Sequence, residues 1–174
     1  TISLPNDIAA LESYAFNDSR MLESIIIPNV TSIPNYIFAN CSSLCDVILG
    51  KNVTTIGEYA FDSTRSLTKI NLHGTTTIGQ YAFRYSQIRE IVIPEGVTTI
   101  PAYAFQYAYS LVNVSLPSTL TTIGTYAFSG CRSLKEIHIP NSVISIGTYA
   151  FNECTSLVSA TLPNGITKLP TYLF

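Results

Sequence analysis

A chain of 174 residues lies in the single-domain range and can bury a sizeable core. Charged residues make up 11%, against about a quarter in typical domains, and 9 basic against 11 acidic side chains leave a net charge of −2. That balance excludes a basic nucleic-acid footprint and a charged tail; 47% apolar residues exclude disorder, and no apolar run approaches the roughly 20 residues of a membrane-spanning helix.

Uncharged polar groups therefore keep the chain in water: it carries 20 Thr, 19 Ser and 11 Asn. One period organises everything else. The eight phenylalanines, from Phe16 to Phe174, are spaced 22, 23, 22, 22, 23, 23 and 23 residues apart, each with a tyrosine two positions earlier. The units are a partial one, 1–16, then 17–38, 39–61, 62–83, 84–105, 106–128, 129–151 and 152–174. Unit 129–151 displays the pattern L-x-x-I-x-I-P-x-x-V-x-x-I-G-x-Y-A-F-x-x-C.

Three elements follow one another in each unit. The first, L-x-x-I-x-I, alternates β-branched residues and predicts a short half-buried strand, ended by proline, which lacks an amide donor. The second, V-x-x-I, is another extended segment, closed by glycine (Gly57, Gly79, Gly124, Gly147) or proline (Pro34, Pro101, Pro170). The third is a tight turn at Tyr-Ala-Phe, in which the ring of phenylalanine fills the interior. No window holds a helical stripe, so long helices are not expected. A single unit cannot hide its apolar residues, whereas a stack hides them continuously.

The L-x-x-I-x-I-P opening and the I-G-x-x-A-F-x-x-C close resemble the BspA-like, or treponemal-type, leucine-rich repeat family over essentially the whole chain. The resemblance implies a curved solenoid of 22–23-residue units, mainly β, with a parallel concave sheet. It also implies a surface or secreted protein that mediates adhesion or protein–protein recognition, with no catalytic residues to transfer. Its partners would be host, matrix or other cell-surface proteins, with a glycan as a further option, and no nucleic acid. A structural spacer presenting another domain away from the cell surface is the alternative. Unit 62–83 departs from the pattern, with His73 where proline is usual, and Leu11-Glu12 replaces the I-G step in the first unit. Neither end carries a polar capping unit, so the solenoid is expected to continue in a longer chain.

Few residues invite a chemical reading. Cys41, Cys131 and Cys154 share one repeat phase, three after phenylalanine, where other units have Ser, Thr or Ala. A metal or redox site competes there with a ladder of small buried residues, and the substitutions favour the ladder. All four cysteines, Cys45 included, are expected to be reduced and slow to alkylate. His73 and His138 are three units apart and cannot share a metal, no nucleotide or metal-hydrolase fingerprint occurs, and no cofactor or metal is expected. Five N-x-[ST] sequons are present, at Asn17, Asn29, Asn40, Asn52 and Asn113; they matter only in a eukaryotic secretory source.

Two surfaces are candidates for ligand contact. Along the first strands, the third and fifth positions of L-x-x-I-x-I face away from the core. The fifth-position stripe begins Ile26, Ile48, Asn71 and Val92, and the third-position stripe sets Asp46, Lys69 and Glu90 beside it. An apolar strip rimmed by charge suits a protein contact, although β-branched residues also simply suit strands. The second surface gathers Tyr85, Tyr107 and Tyr109, the three tyrosines outside the Tyr-x-Phe set. They read either as a contact patch of exposed aromatics or as incidental loop residues.

Overall fold

The computed structural model describes residues 1–174. Each turn of the chain is one 22–23-residue unit, and the units stack as a solenoid without helices. The first strands pair in parallel and in register. Ser24–Ile27 lies beside Asp46–Leu49, matching Ile25 to Val47 and Ile26 to Ile48. Further along, Glu90–Val92 pairs with Asn113–Ser115 and Glu136–His138 with Ser159–Thr161. The second segments form two-residue strands with a parallel ladder of their own: Ser32–Ile33, Thr55–Ile56 and Thr77–Ile78 in one group, then Thr99–Ile100, Thr122–Ile123 and Ser145–Ile146 in another.

Alternation places one set of side chains inside. Ile25, Ile27, Val47, Ile91, Ile93, Ile137 and Ile139 are buried, as are the closing isoleucines Ile33, Ile56, Ile100 and Ile123. They meet Phe38, Phe61, Phe83, Phe105, Phe128 and Phe151, none of which has any exposed surface. The result is one contiguous cluster of 42 buried residues running the length of the stack.

The turn is the most regular element. Phenylalanine amides bond to the carbonyl of the residue before the next phenylalanine at every junction, from Phe16 to Ile37 (3.1 Å) through Phe83 to Ala104 (2.8 Å) to Phe151 to Leu173 (2.9 Å). The phenylalanine rings stack with centroids 5.3–6.0 Å apart. The tyrosines form a second, parallel stack at 4.4–5.3 Å.

All eight of those tyrosines have positive φ, between 52° and 65°. So do Asp18, Asn40, Ser63, Tyr85, Tyr107, Gly130 and Glu153, two residues after each phenylalanine. The left-handed region costs a non-glycine residue about 1–2 kcal/mol. Here it lets alternate amides point in different directions. Tyr36, Phe38 and Asn40 donate to the next unit (2.9, 3.0 and 2.9 Å), while Ala39 and Cys41 close local turns onto the carbonyls three residues back (3.2 and 3.1 Å). Every amide from Tyr36 to Cys41 except that of Ile37 thus finds a carbonyl. Ring stacking, at about 0.5–1.5 kcal/mol per pair, offsets much of the backbone strain.

The strand ladders are less regular than a continuous parallel sheet. Residues 69–72 form no strand and donate no backbone hydrogen bond. At the end of this segment Asn71 turns its Oδ1 back to accept from the His73 amide at 3.0 Å, a local bond of the kind that competes with a ladder. Proline, usual at the position of His73, could not donate it. A second gap separates Asn113–Ser115 from Glu136–His138. The ladder of second segments also divides, between Thr77–Ile78 and Thr99–Ile100. There Pro101 stands where Gly57, Gly79, Gly124 and Gly147 donate to Ile33, Ile56, Ile100 and Ile123 at 2.7–2.8 Å, and proline has no proton to give. Those glycines also permit close approach: a Cβ on Gly147 would lie 2.3 Å from the Thr125 amide nitrogen.

Candidate binding surfaces

The sheet face is built by the strand alternation just described, which turns the fifth-position residues outward. Ile26, Ile48 and Val92 are 39%, 51% and 69% exposed, and Asn71 is exposed beside them. Of the third-position residues, Asp46, Lys69 and Glu90 are exposed, while Ser24 is half-buried under Thr1, whose Oγ1 lies 2.6 Å from its hydroxyl. The missing strand at 69–72 leaves a depression of about 480 Å³ in this face. Its walls are Asp46, Lys69, Asn71, Glu90 and Val92, and its floor Val47, Ile70 and Leu72. Asp46, Lys69 and Glu90 form no salt bridge; Glu90 accepts only from the Asn113 side-chain Nδ2, at 3.2 Å. Five of the seven sheet-face candidates therefore line one depression, with Ile26 and Ile48 on the neighbouring strands.

The three additional tyrosines do meet. Tyr85 stacks on Tyr107 at 5.0 Å, and Tyr109 tilts against both, at 6.3 and 5.8 Å. They are half-buried rather than exposed as expected, because Tyr107 packs over Gly130, where a Cβ would come within 2.4 Å of the ring. Arginines hold the cluster from both ends. The Arg132 guanidinium sits 5.2 Å over Tyr109 and pairs with Glu153 at 3.2 Å. Arg84 lies over Tyr59, Tyr81 and Tyr85 at 5.4, 5.0 and 5.4 Å and grips buried Asp62 with two nitrogens, at 2.8 and 3.2 Å. That hydrogen bond raises the pKa of Arg84 further. The Arg84–Asp62 pair escaped the sequence reading, yet a signal existed: both residues directly follow a phenylalanine, in adjacent units and with opposite charge.

The remaining candidates take structural places. All four cysteines are free. Cys41, Cys131 and Cys154 donate their thiols to the carbonyls of Phe16, Phe105 and Phe128 at 3.0, 3.3 and 3.2 Å. Burial pushes the thiols of Cys41 and Cys154 up to about 11 and about 12, and raises that of Cys131 well above its ordinary value, the reverse of a reactive thiolate. Cys45 corrects the expectation of uniformly slow labelling: it is exposed on the strand edge. No three His, Cys, Asp or Glu side chains gather as metal ligands, and no helix is long and apolar enough to cross a membrane. An apolar hollow of about 440 Å³ between Phe151 and Phe174 is the end face of the stack.

Residues 1–89 and 76–174 match the family model of the BspA type leucine rich repeat region, in six copies. Three solved structures are similar. A leucine-rich repeat protein of Bacteroides ovatus ATCC 8483 is 34% identical with a TM-score of 0.91, over 95% of this chain and 46% of that one. A leucine rich cell surface protein of Faecalibacterium prausnitzii A2-165 is 33% identical with a TM-score of 0.82, over 97% and 48%. The T. pallidum leucine rich repeat protein is 31% identical with a TM-score of 0.60, over 88% and 64%. The chain thus spans about half the length of the first two. No curated protein matches it.

Proposed function

The chain belongs to the BspA-type leucine-rich repeat family, and from that premise we propose that it is a non-catalytic recognition module of a surface or secreted protein. It acts in adhesion, contacting a host, matrix or other cell-surface protein through its sheet face. The observation that carries this reading is the depression at residues 69–72. Exposed Val92 lines it beside Asp46, Lys69 and Glu90, which have no intramolecular ion pairs, and exposed Ile26 and Ile48 continue the apolar strip on the neighbouring strands. Apolar centre and charged rim are the anatomy of a protein contact, and unpaired rim charges are free to choose a partner. The description of the Faecalibacterium relative as a cell surface protein supports the location.

The test is Ile26→Ser with Ile48→Ser and Val92→Ser, which touches no inward position. Binding of parent and variant is measured on immobilised extracellular-matrix proteins and on epithelial cells, with circular dichroism as the control for folding. The expected result is an unchanged fold and a loss of binding of about tenfold or more. A variant that binds as well as the parent would remove the sheet face from consideration. A parent that binds nothing would favour a spacer.

A further inference from the structure

We propose a second binding site, on the turn flank of the solenoid, for an acidic oligosaccharide. It shares no residue with the sheet face. Four residues after each phenylalanine, the chain reaches the outer edge of the turn, and at this position stand Arg20, Ser42, Arg65, Gln87, Tyr109 and Arg132 in successive units. Two depressions run along them and join at Arg65. One, of about 300 Å³, is lined by Arg20, Asn40, Ser42, Ser63 and Arg65, with no apolar residue. The other, of about 210 Å³, is lined by Arg65, Tyr85, Gln87 and Tyr109. Units are about 5 Å apart, so the groove from Arg20 to Tyr109 extends roughly 20 Å, enough for several linked sugars.

Charge places the acidic group. Along this flank Arg20 leans on Asp18 (3.5 Å), Arg84 is held by Asp62 and Arg132 pairs with Glu153. Arg65, at the junction of the two depressions, is exposed and has no carboxylate partner. Its planar fork of donors suits a carboxylate or sulfate. On one side of it hydroxyls and an amide offer both donors and acceptors, matching the hydroxyls of a sugar. On the other side Tyr85 and Tyr109 offer ring surface to the C–H face of a pyranose. Their neighbours already fix these rings, so little ordering remains to be done on binding. A single unpaired guanidinium on this flank, in a chain of net charge −2, fits a ligand with sparse charge and many hydroxyls better than the dense phosphates of a nucleic acid. The absence of any apolar residue in the Arg20–Arg65 depression also argues against a protein hot spot there.

Hyaluronan octasaccharide, oligogalacturonate and sialyllactose are titrated into the protein by calorimetry. Carboxyl-reduced hyaluronan serves as the neutral twin, and a thymidine dodecanucleotide and phosphatidylserine vesicles as other anions. At least one acidic saccharide is expected to bind, weakened about tenfold by carboxyl reduction and by Arg65→Gln, and weakened also by Tyr109→Leu. The sheet-face triple variant should bind it like the parent, so failure of one site leaves the other standing. The proposal is overturned if none of the three saccharides binds at millimolar concentration. It is equally overturned if Arg65→Gln changes nothing, if the sheet-face variant abolishes binding, or if the nucleotide or vesicles bind more tightly than every saccharide.

Discussion

The turn edge and the first-strand sheet of this solenoid are built from the same number of units, yet only one of them is unbroken. Every junction keeps its phenylalanine amide bond and its two ring stacks. The sheet loses its ladder at residues 69–72 and again between Asn113–Ser115 and Glu136–His138. The difference teaches where order resides. Backbone continuity and aromatic burial on the turn side hold the stack, and the sheet face can therefore vary in sequence and lose hydrogen bonds without dissolving the fold. That freedom is what a recognition surface needs.

The sharpest way to break the comparison is to remove one ring. Phe83 is wholly buried and stacks on Phe61 and Phe105 at 5.5 and 5.3 Å. Phe83→Ala should cost about 3–5 kcal/mol through lost burial and a cavity, read as a fall in the denaturation midpoint, with neighbouring units affected because the stack is quasi-one-dimensional. An unchanged melting curve would contradict the turn side's role.

Next in size is the Arg84–Asp62 pair, which fastens two turns. Arg84→Met keeps an unbranched side chain at the position but removes the guanidinium over the tyrosines and strands the buried carboxylate, and should cost about 3 kcal/mol near neutral pH. Adding Asp62→Asn to that variant should recover part of the loss, because no buried charge is then left stranded; additive losses would mean the pair is only packing.

A smaller effect is expected in alkali. An unfolded chain loses its thiol protons near pH 9, the ordinary cysteine value, while Cys41 and Cys154 in the folded chain keep theirs to about 11 and about 12. Between those limits the unfolded state binds fewer protons, so stability falls as pH rises. The contribution is complete below pH 9 and declines above it. Burial raises the phenols of Tyr36, Tyr59 and Tyr126 as well, with neighbouring tyrosines adding to the shift, so a Cys41→Ser, Cys154→Ser variant should flatten the alkaline decline without abolishing it. Urea midpoints from pH 8 to 11 would check this.

Much of this was legible in the sequence because it is written in side-chain identity. The spacing of Phe16 to Phe174 gave the units, and the alternation in Ile25-Ile26-Ile27 gave the inward and outward faces. What stayed hidden is backbone conformation. Left-handed φ is usually advertised by glycine or asparagine, but here tyrosine adopts it at every turn, for reasons supplied only by the next unit's carbonyl and ring. The sequence predicts a strand at 69–72 as in every other unit; its one sign of irregularity there is His73 in place of proline, and the Asn71 side-chain bond to that amide requires coordinates. Among candidate residues, Ile26, Ile48 and Val92 are exposed as alternation demands. The tyrosine cluster sits deeper than expected because Gly130 makes room for Tyr107.

Native-state hydrogen exchange read residue by residue tests the contrast between the two edges most directly. The amides of Phe61, Phe83, Phe105 and Phe128, bonded at 2.8 Å and buried, should exchange only through global opening. Those of Ile70, Asn71 and Leu72, which donate to no carbonyl, should exchange at least about a thousandfold faster. Equal protection at both edges, or faster exchange in the turn, would contradict the account.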